Sequence, residues 1–387
     1  MTTAKNEMTL DTVATSRRSL IKLAGLGAGA LGTAGLSTGL AAASSNSSKI
    51  DPDALAIMSS NENPFGPSPK AIEAMRAELG NVHRYATPQK QAFEEMIAAK
   101  EGVLPEQVLV TNGSAPLLDA FSEWAASLDG ELLTSALTFE RVPRIARFYG
   151  MQINETPLGA DMGYDLDKMA TRLSKKKTAA VYLCNPNNPT GKTIDPAKLR
   201  AFAIEASQIA PVFIDEAYLD ASDDYPVGAM SDLVAQGHDV IIARTFSKLY
   251  AMAGQRVGYA IMPVGLREKI TQSGRAHRGN TLGLVGAMAA YEDAAYFEEM
   301  RMRNIRGRNM LVAMAKDLGR PIAPDPQGTF IYMDVGMENA KFAEKMLEKR
   351  VKVVGARWPE KPEWTRICVG LDHEIEKCHA AAKAILA

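Results

Sequence analysis

What most restricts the fold of this chain is a series of short apolar runs, each closed by a small or polar cluster. Val108–Thr111 ends at Asn112-Gly113-Ser114, and a helix is expected from about residue 115 to 128. Residues 132–135 lead to Leu137-Thr138-Phe139-Glu140 and a helix to Tyr149. Thr178–Cys184 stops at N-P-N-N-P-T-G (185–191), with a helix over 196–208. Residues 211–214 stop at Asp215-Glu216-Ala217-Tyr218, residues 240–243 run on towards Lys248, and 257–262 turn back as a further strand. Strands alternating with helices at this spacing predict a mostly parallel sheet with helices on both faces. Ligands of such sheets bind beyond the carboxyl ends of the strands. Gly113 with Ser114, then Asn188, Asp215 and Lys248, follow four different strands at that edge.

The pattern changes beyond about residue 280. Residues 285–302 and 308–318 predict helices, 330–335, 351–354 and 365–369 strands, and 340–349 and 375–386 helices. That order indicates a smaller α+β domain, completed by part of the N-terminal arm. In the arm, three prolines and a glycine within 58–69 prevent regular structure. Ser68 is the expected N-cap of a helix over 69–79 that starts with Pro69. The organisation read from the chain is a signal peptide at 1–43, an arm and part of the small domain at 44–75, a large domain at 76–280 and a small C-terminal domain at 281–387.

The signal reading rests on Ser16-Arg17-Arg18-Ser19-Leu20, an apolar run over 23–40 carrying six glycines, and Ala41-Ala42-Ala43 as a cleavage site. The layout is similar to a twin-arginine export signal, which carries folded cargo. The run is too weakly apolar for a good membrane span, so export to the periplasm is expected ahead of an uncleaved anchor. Losing four basic and two acidic side chains there takes the formal charge of the 387-residue chain from -1 to about -3. No basic field for nucleic acid results. Three scattered cysteines, Cys184, Cys368 and Cys378, and five histidines give no disulfide framework and no metal-ligand spacing, so no metal is expected.

The order Asn188, Asp215, Lys248 matches what a pyridine-aldehyde cofactor needs. Lys248 can form a Schiff base and, once released, act as a general base. A carboxylate such as Asp215 keeps a ring nitrogen protonated, so that the ring works as an electron sink. Asn188 and Tyr218 can donate to a phenolic oxygen, and Phe139 can stack on a ring face. Thr245, Ser247 and Arg256 surround Lys248 with hydroxyls and a cation suited to a phosphate.

With N-E-N-P-F-G (61–66), R-Y (84–85), N-P-N-N-P-T-G (185–191), D-E-A-Y (215–218), T-F-S-K…A-G-Q-R-V-G-Y (245–259) and R-I-C-V-G (366–370) in this order, the chain resembles the fold-type I, class I/II aminotransferases that use pyridoxal 5'-phosphate. The resemblance extends over residues 50–387 and is closest to the histidinol-phosphate aminotransferase-like group. It implies a large domain with a mostly parallel seven-stranded sheet. It implies Lys248 as the Schiff-base lysine, Asp215 at the ring nitrogen, and Asn188 and Tyr218 at the phenolic oxygen. Thr245, Ser247, Arg256, Gly113, Ser114 and Ala115 would hold the phosphate, with Tyr85 reaching the neighbouring subunit's phosphate across a homodimer. Arg366 would bind the substrate carboxylate, with Asn188 and Asn63 beside it, and residues 275–280 would line a partner's pocket.

The chain departs from the family pattern at Gly113-Ser114-Ala115-Pro116, which lacks the usual acidic side chains, and at Leu137, where a proline is usual. The expected reaction is amino transfer between an amino acid and a 2-oxo acid. A decarboxylase, racemase or C–S lyase on the same scaffold is the alternative. Export argues against the literal histidinol-phosphate reaction, whose phosphorylated intermediates are cytoplasmic.

Overall fold

The computed structural model describes residues 54–272, 274 and 279–387, all of them within one compact unit. The expected signal segment, the linker after it and Arg275 to Arg278 lie outside the described residues. The strands in chain order are β1 (Ala56–Ile57), β2 (Val108–Thr111), β3 (Glu131–Ser135), β4 (Gln152–Thr156), β5 (Thr178–Cys184), β6 (Val212–Asp215), β7 (Val240–Thr245), β8 (Gly258–Ile261), β9 (Phe330–Asp334), β10 (Val351–Lys352) and β11 (Trp364–Cys368). Seven of them form one sheet in the order β2-β8-β7-β6-β5-β3-β4. Only β8 runs antiparallel to its sheet neighbours, β2 and β7; the other paired strands of this sheet are parallel. The fold class is therefore the expected α/β class with a mostly parallel seven-stranded sheet.

Its central strands are buried along their whole length, as a sheet covered on both faces requires. Alternate residues of one strand enter different cores. Val181 and Leu183 of β5 join Ile214 and Ile242 on one face, while Ala180 and Tyr182 join Phe213 and Ile241 on the other. A separate core surrounds β9 and β11 and takes in Ala56 and Met58 from the N-terminal arm.

Helix Thr281–Glu292 falls in the C-terminal domain of the sequence reading, yet Leu284, Ala287 and Ala290 pack in the core of the large sheet. The helix break expected between residues 302 and 308 lies instead at Asp293, and Ala294–Asp317 is continuous. Gly307 does not interrupt that helix. It admits a close neighbour, since a Cβ there would sit 2.4 Å from Cγ1 of Val369.

Paired Cα positions put Cys184, Asp215 and Ala243 level across β5, β6 and β7. The loops that follow these strands thus leave the sheet side by side. Behind them, the buried Arg244 donates to Glu216 at 2.8 Å and to Glu101 at 2.6 Å. This ion group ties the end of β7 to the end of β6 and to helix Thr87–Glu101.

Candidate active site

A cavity of about 510 Å³ opens beyond these strand ends. Its walls combine Ser114 and Ala115, Phe139, Asn188, Asp215 and Tyr218, Thr245, Ser247 and Lys248, Arg256, and Arg366. Most residues singled out in the sequence are therefore brought together in one place.

At one end, helix Ser114–Ala126 begins without a side-chain cap, after Gly113 with φ +80°. Its first N–H groups and dipole suit an anion. Gly113 does not itself line the cavity, but it lets Arg256 approach: a Cβ there would lie 2.2 Å from Nη2 of Arg256. Arg256 has left-handed backbone geometry and donates to Ser247 Oγ at 3.2 Å and to the Ala253 carbonyl at 2.9 Å. No carboxylate pairs with it among the described residues. Thr245 Oγ1 donates to Ser247 Oγ at 3.0 Å and accepts from the Ser247 N–H at 3.1 Å. Two hydroxyls, a guanidinium and a helix N-terminus thus converge.

At the floor, the buried Asp215 accepts from the Ala217 N–H at 3.1 Å and more loosely from Tyr182 at 3.4 Å. Burial pushes its carboxyl up to about 6, with those two hydrogen bonds and Lys248 acting against the shift. Lys248 Nζ donates to the Ser60 carbonyl at 3.2 Å. Desolvation, then the Arg366 guanidinium, lowers its amine to about 8.

Opposite lies a chain of locked side chains. Arg366 of β11 donates through Nη1 to Asn188 Oδ1 at 2.6 Å and through Nη2 to the Ser59 carbonyl at 2.8 Å. Its buried Nε has no hydrogen-bond partner among the described residues. Asn188 Nδ2 in turn donates to the Tyr218 hydroxyl at 3.2 Å.

Two predicted residues are elsewhere. Asn63 spends its side chain on local loop contacts, donating to the Leu249 carbonyl at 2.7 Å and accepting from the Phe65 N–H at 3.0 Å. It is not on the cavity wall. Tyr85 is 96% exposed and lies beside Gly279 to Leu282, away from this chain's own cavity. The residue that takes the inward place is Asn61, buried, at φ +53°. Asparagine's tolerance of left-handed geometry within a proline-rich loop was the available signal. Arg141 and Arg357 also reach the cavity wall, each held by an acidic partner, Asp119 and Glu140. Nothing in their local sequence marked them.

Residues 55–385 match the model of the family described as Aminotransferase class I and II. The chain is 32% identical over 340 residues to histidinol-phosphate aminotransferase 2 of Pseudomonas fluorescens, covering 87% of this chain and 90% of the relative. It is 34% identical over 334 residues to the histidinol-phosphate aminotransferase of Anaeromyxobacter sp., covering 86% and 91%. Its fold is similar to the solved histidinol-phosphate aminotransferase of Sinorhizobium meliloti in complex with pyridoxal-5'-phosphate, with a TM-score of 0.75 at 24% identity over 86% of this chain and 91% of that one. With family, fold and strand-end cavity in agreement, the chain belongs to the class I and II aminotransferases and is a transaminase dependent on pyridoxal 5'-phosphate.

Proposed function

We propose that this cavity is where the amino group is transferred, with Lys248, Asp215 and Arg366 at its centre. The observation that carries the reading is that a desolvated amine, a buried carboxylate and an arginine line one cavity. The residues fit the cofactor. The space left by Gly113, the uncapped helix start at Ser114 and Ala115, Thr245, Ser247 and Arg256 would hold its phosphate. Asp215 would hold its pyridine nitrogen, Asn188 and Tyr218 its phenolic oxygen, Phe139 a ring face and Lys248 its aldehyde carbon. Bound there, pyridoxal phosphate supplies an electron sink for the bond broken at the substrate's α-carbon.

The protein's part is positional and acid–base. Arg366 would bind the substrate carboxylate through its guanidinium. Lys248 would take the substrate's α-proton on its amine and hold it for return later in the transfer. An amine lowered to about 8 has a substantial neutral fraction near physiological pH and is still basic enough for the task. Asp215, ionised, would keep the ring nitrogen protonated.

The test is a screen of amino donors against 2-oxo acids with the purified chain and Lys248→Ala. Amino transfer lost in Lys248→Ala, together with the visible absorbance of the bound cofactor, is the expected result. Wild-type turnover in the variant, or release of CO2 or racemised amino acid without transfer, refutes the reading.

Two further parts of the proposal concern context. Residues 1–43 export the folded, cofactor-loaded chain by the twin-arginine route, supported by Arg17-Arg18 before the weakly apolar run. Replacing both by lysine should trap the protein in the cytoplasm, and unchanged periplasmic recovery counts against export. The protein works as a homodimer in which Tyr85 serves the partner's phosphate site. In support, Leu79, Val82 and Tyr85 are all strongly exposed in one stretch. Light scattering should give twice the monomer mass, and Tyr85→Phe should weaken cofactor retention.

A further inference from the structure

We propose that Asn61 and Cys368 are positioning residues that commit the Tyr218 hydroxyl to donate its proton into the cavity. The inference rests on the reading that this cavity holds the cofactor.

A phenol has one O–H and accepting capacity on its oxygen. At Tyr218 the accepting side is occupied. Asn61 Nδ2 donates to it at 2.8 Å and Asn188 Nδ2 at 3.2 Å. Each amide is held so that its nitrogen, not its oxygen, faces the phenol. For Asn188 the lock is Arg366, a group that can only donate and that occupies Oδ1. For Asn61 the lock is Cys368, whose thiol donates to Oδ1 at 2.8 Å while its sulfur accepts the Asn61 N–H at 3.1 Å. The left-handed backbone at Asn61 lets its N–H and its side-chain oxygen meet the same sulfur. Cys368 is fixed in turn, because its N–H donates to the Met58 carbonyl at 3.0 Å.

Tyr218 lines the cavity with its ring edge against Phe330, 5.1 Å between centroids. With two donors already at its oxygen, the hydroxyl hydrogen has the cavity left to point into. Burial keeps the phenol protonated despite the opposing pull of Arg366. The titratable and charged groups around it are Arg366 of β11, Cys184 of β5, Asp215 of β6 and Lys248 after β7. Asn61, on the cavity wall, and Cys368, behind it, thus set the direction of one hydrogen bond through Tyr218.

The readout is the pH midpoint of the visible absorbance of the cofactor-loaded protein. A donor at the cofactor's phenolic oxygen favours its more anionic, deprotonated form, so losing the donor raises the midpoint. Asn61→Ala should raise it by about 0.5–1 unit, the net worth of one hydrogen bond. Asn61→Asp keeps the backbone preference and presents an acceptor to the phenol, so it should raise the midpoint at least as far. Cys368→Ala should shift it in the same direction, and Cys368→Ser, which restores a donor, should bring it back. The shifts of the uncharged variants, Asn61→Ala and Cys368→Ala, should vanish in a Tyr218→Phe background. Unchanged midpoints in both Asn61 variants, or an Asn61→Ala shift that persists without the Tyr218 hydroxyl, overturn the proposal. A wild-type protein that retains no coloured cofactor overturns the reading beneath it instead.

Discussion

At the scale of single residues, this site trades stability for chemistry. Asp215 is buried with two modest hydrogen bonds, and its carboxyl rises from 3.8 to about 6. Between those values the folded protein without cofactor binds more protons than the unfolded chain, so this group's contribution falls as pH rises through that window. Asp215→Asn should therefore stabilise the cofactor-free protein by on the order of 1–3 kcal/mol at pH 7. The gain should disappear below about pH 4, where both forms are protonated. Denaturant melts at the two pH values measure it, and the same variant should lose transaminase turnover. Lys248, Asp215 and Asn188 were legible because each ends a strand in a sheet whose ligand edge is fixed by topology. The choice between Asn61 and Asn63 was not. Two asparagines two residues apart in a proline-rich loop differ only in backbone geometry, and φ +53° at Asn61 is not written in composition. Arg141 and Arg357 were illegible for a similar reason: only the tertiary structure carries them to the cavity.

At the scale of elements, the seat for an anion depends on β8 lying hard against the start of helix Ser114–Ala126. A Cβ on Gly258 would meet the Ser114 nitrogen at 2.7 Å and the Gly113 carbonyl carbon at 2.8 Å, both backbone atoms that cannot swing aside. Gly258→Ala should cost about 1–3 kcal/mol of stability and should weaken cofactor binding beyond what that loss explains, because it displaces the helix start. Equilibrium dialysis with a parallel urea melt separates the two effects. The ion group behind the sheet makes a second prediction. Arg244→Met strands Glu216 and Glu101 in the interior and should cost about 3–5 kcal/mol, measured by denaturant unfolding. Strands with continuous apolar runs were readable from the chain. β4 was not, since Gln152–Thr156 is a mostly polar, half-buried edge strand. The break at Asp293 was hidden because Gly307, the evident weak point, is kept for a close contact with Val369 and leaves its helix intact.

At the scale of the whole molecule, the cavity is where separate cores meet. Its floor comes from the sheet, and its far wall comes from β11 and residues 59–62, which pack beside a different core. A ligand seated there touches both, so it should stabilise the described unit as one. With pyridoxal phosphate at a hundred times its dissociation constant, about 2.7 kcal/mol of stabilisation is expected, seen as a single calorimetric transition shifted upward. Arg256→Ala should shrink that shift at the same cofactor concentration, whereas Arg366→Ala should leave most of it in place and impair substrate binding instead. The separation of floor and far wall also bears on how such a protein can change. Residues 59–62, 357 and 366 come from stretches remote in sequence from the 188, 215 and 248 strand ends. A lineage, or an engineer, can exchange the side chains at 59, 60, 62 and 357 to admit a different amine while inheriting Asn61, Arg366 and the strand ends intact, so new specificities are reachable within two short segments.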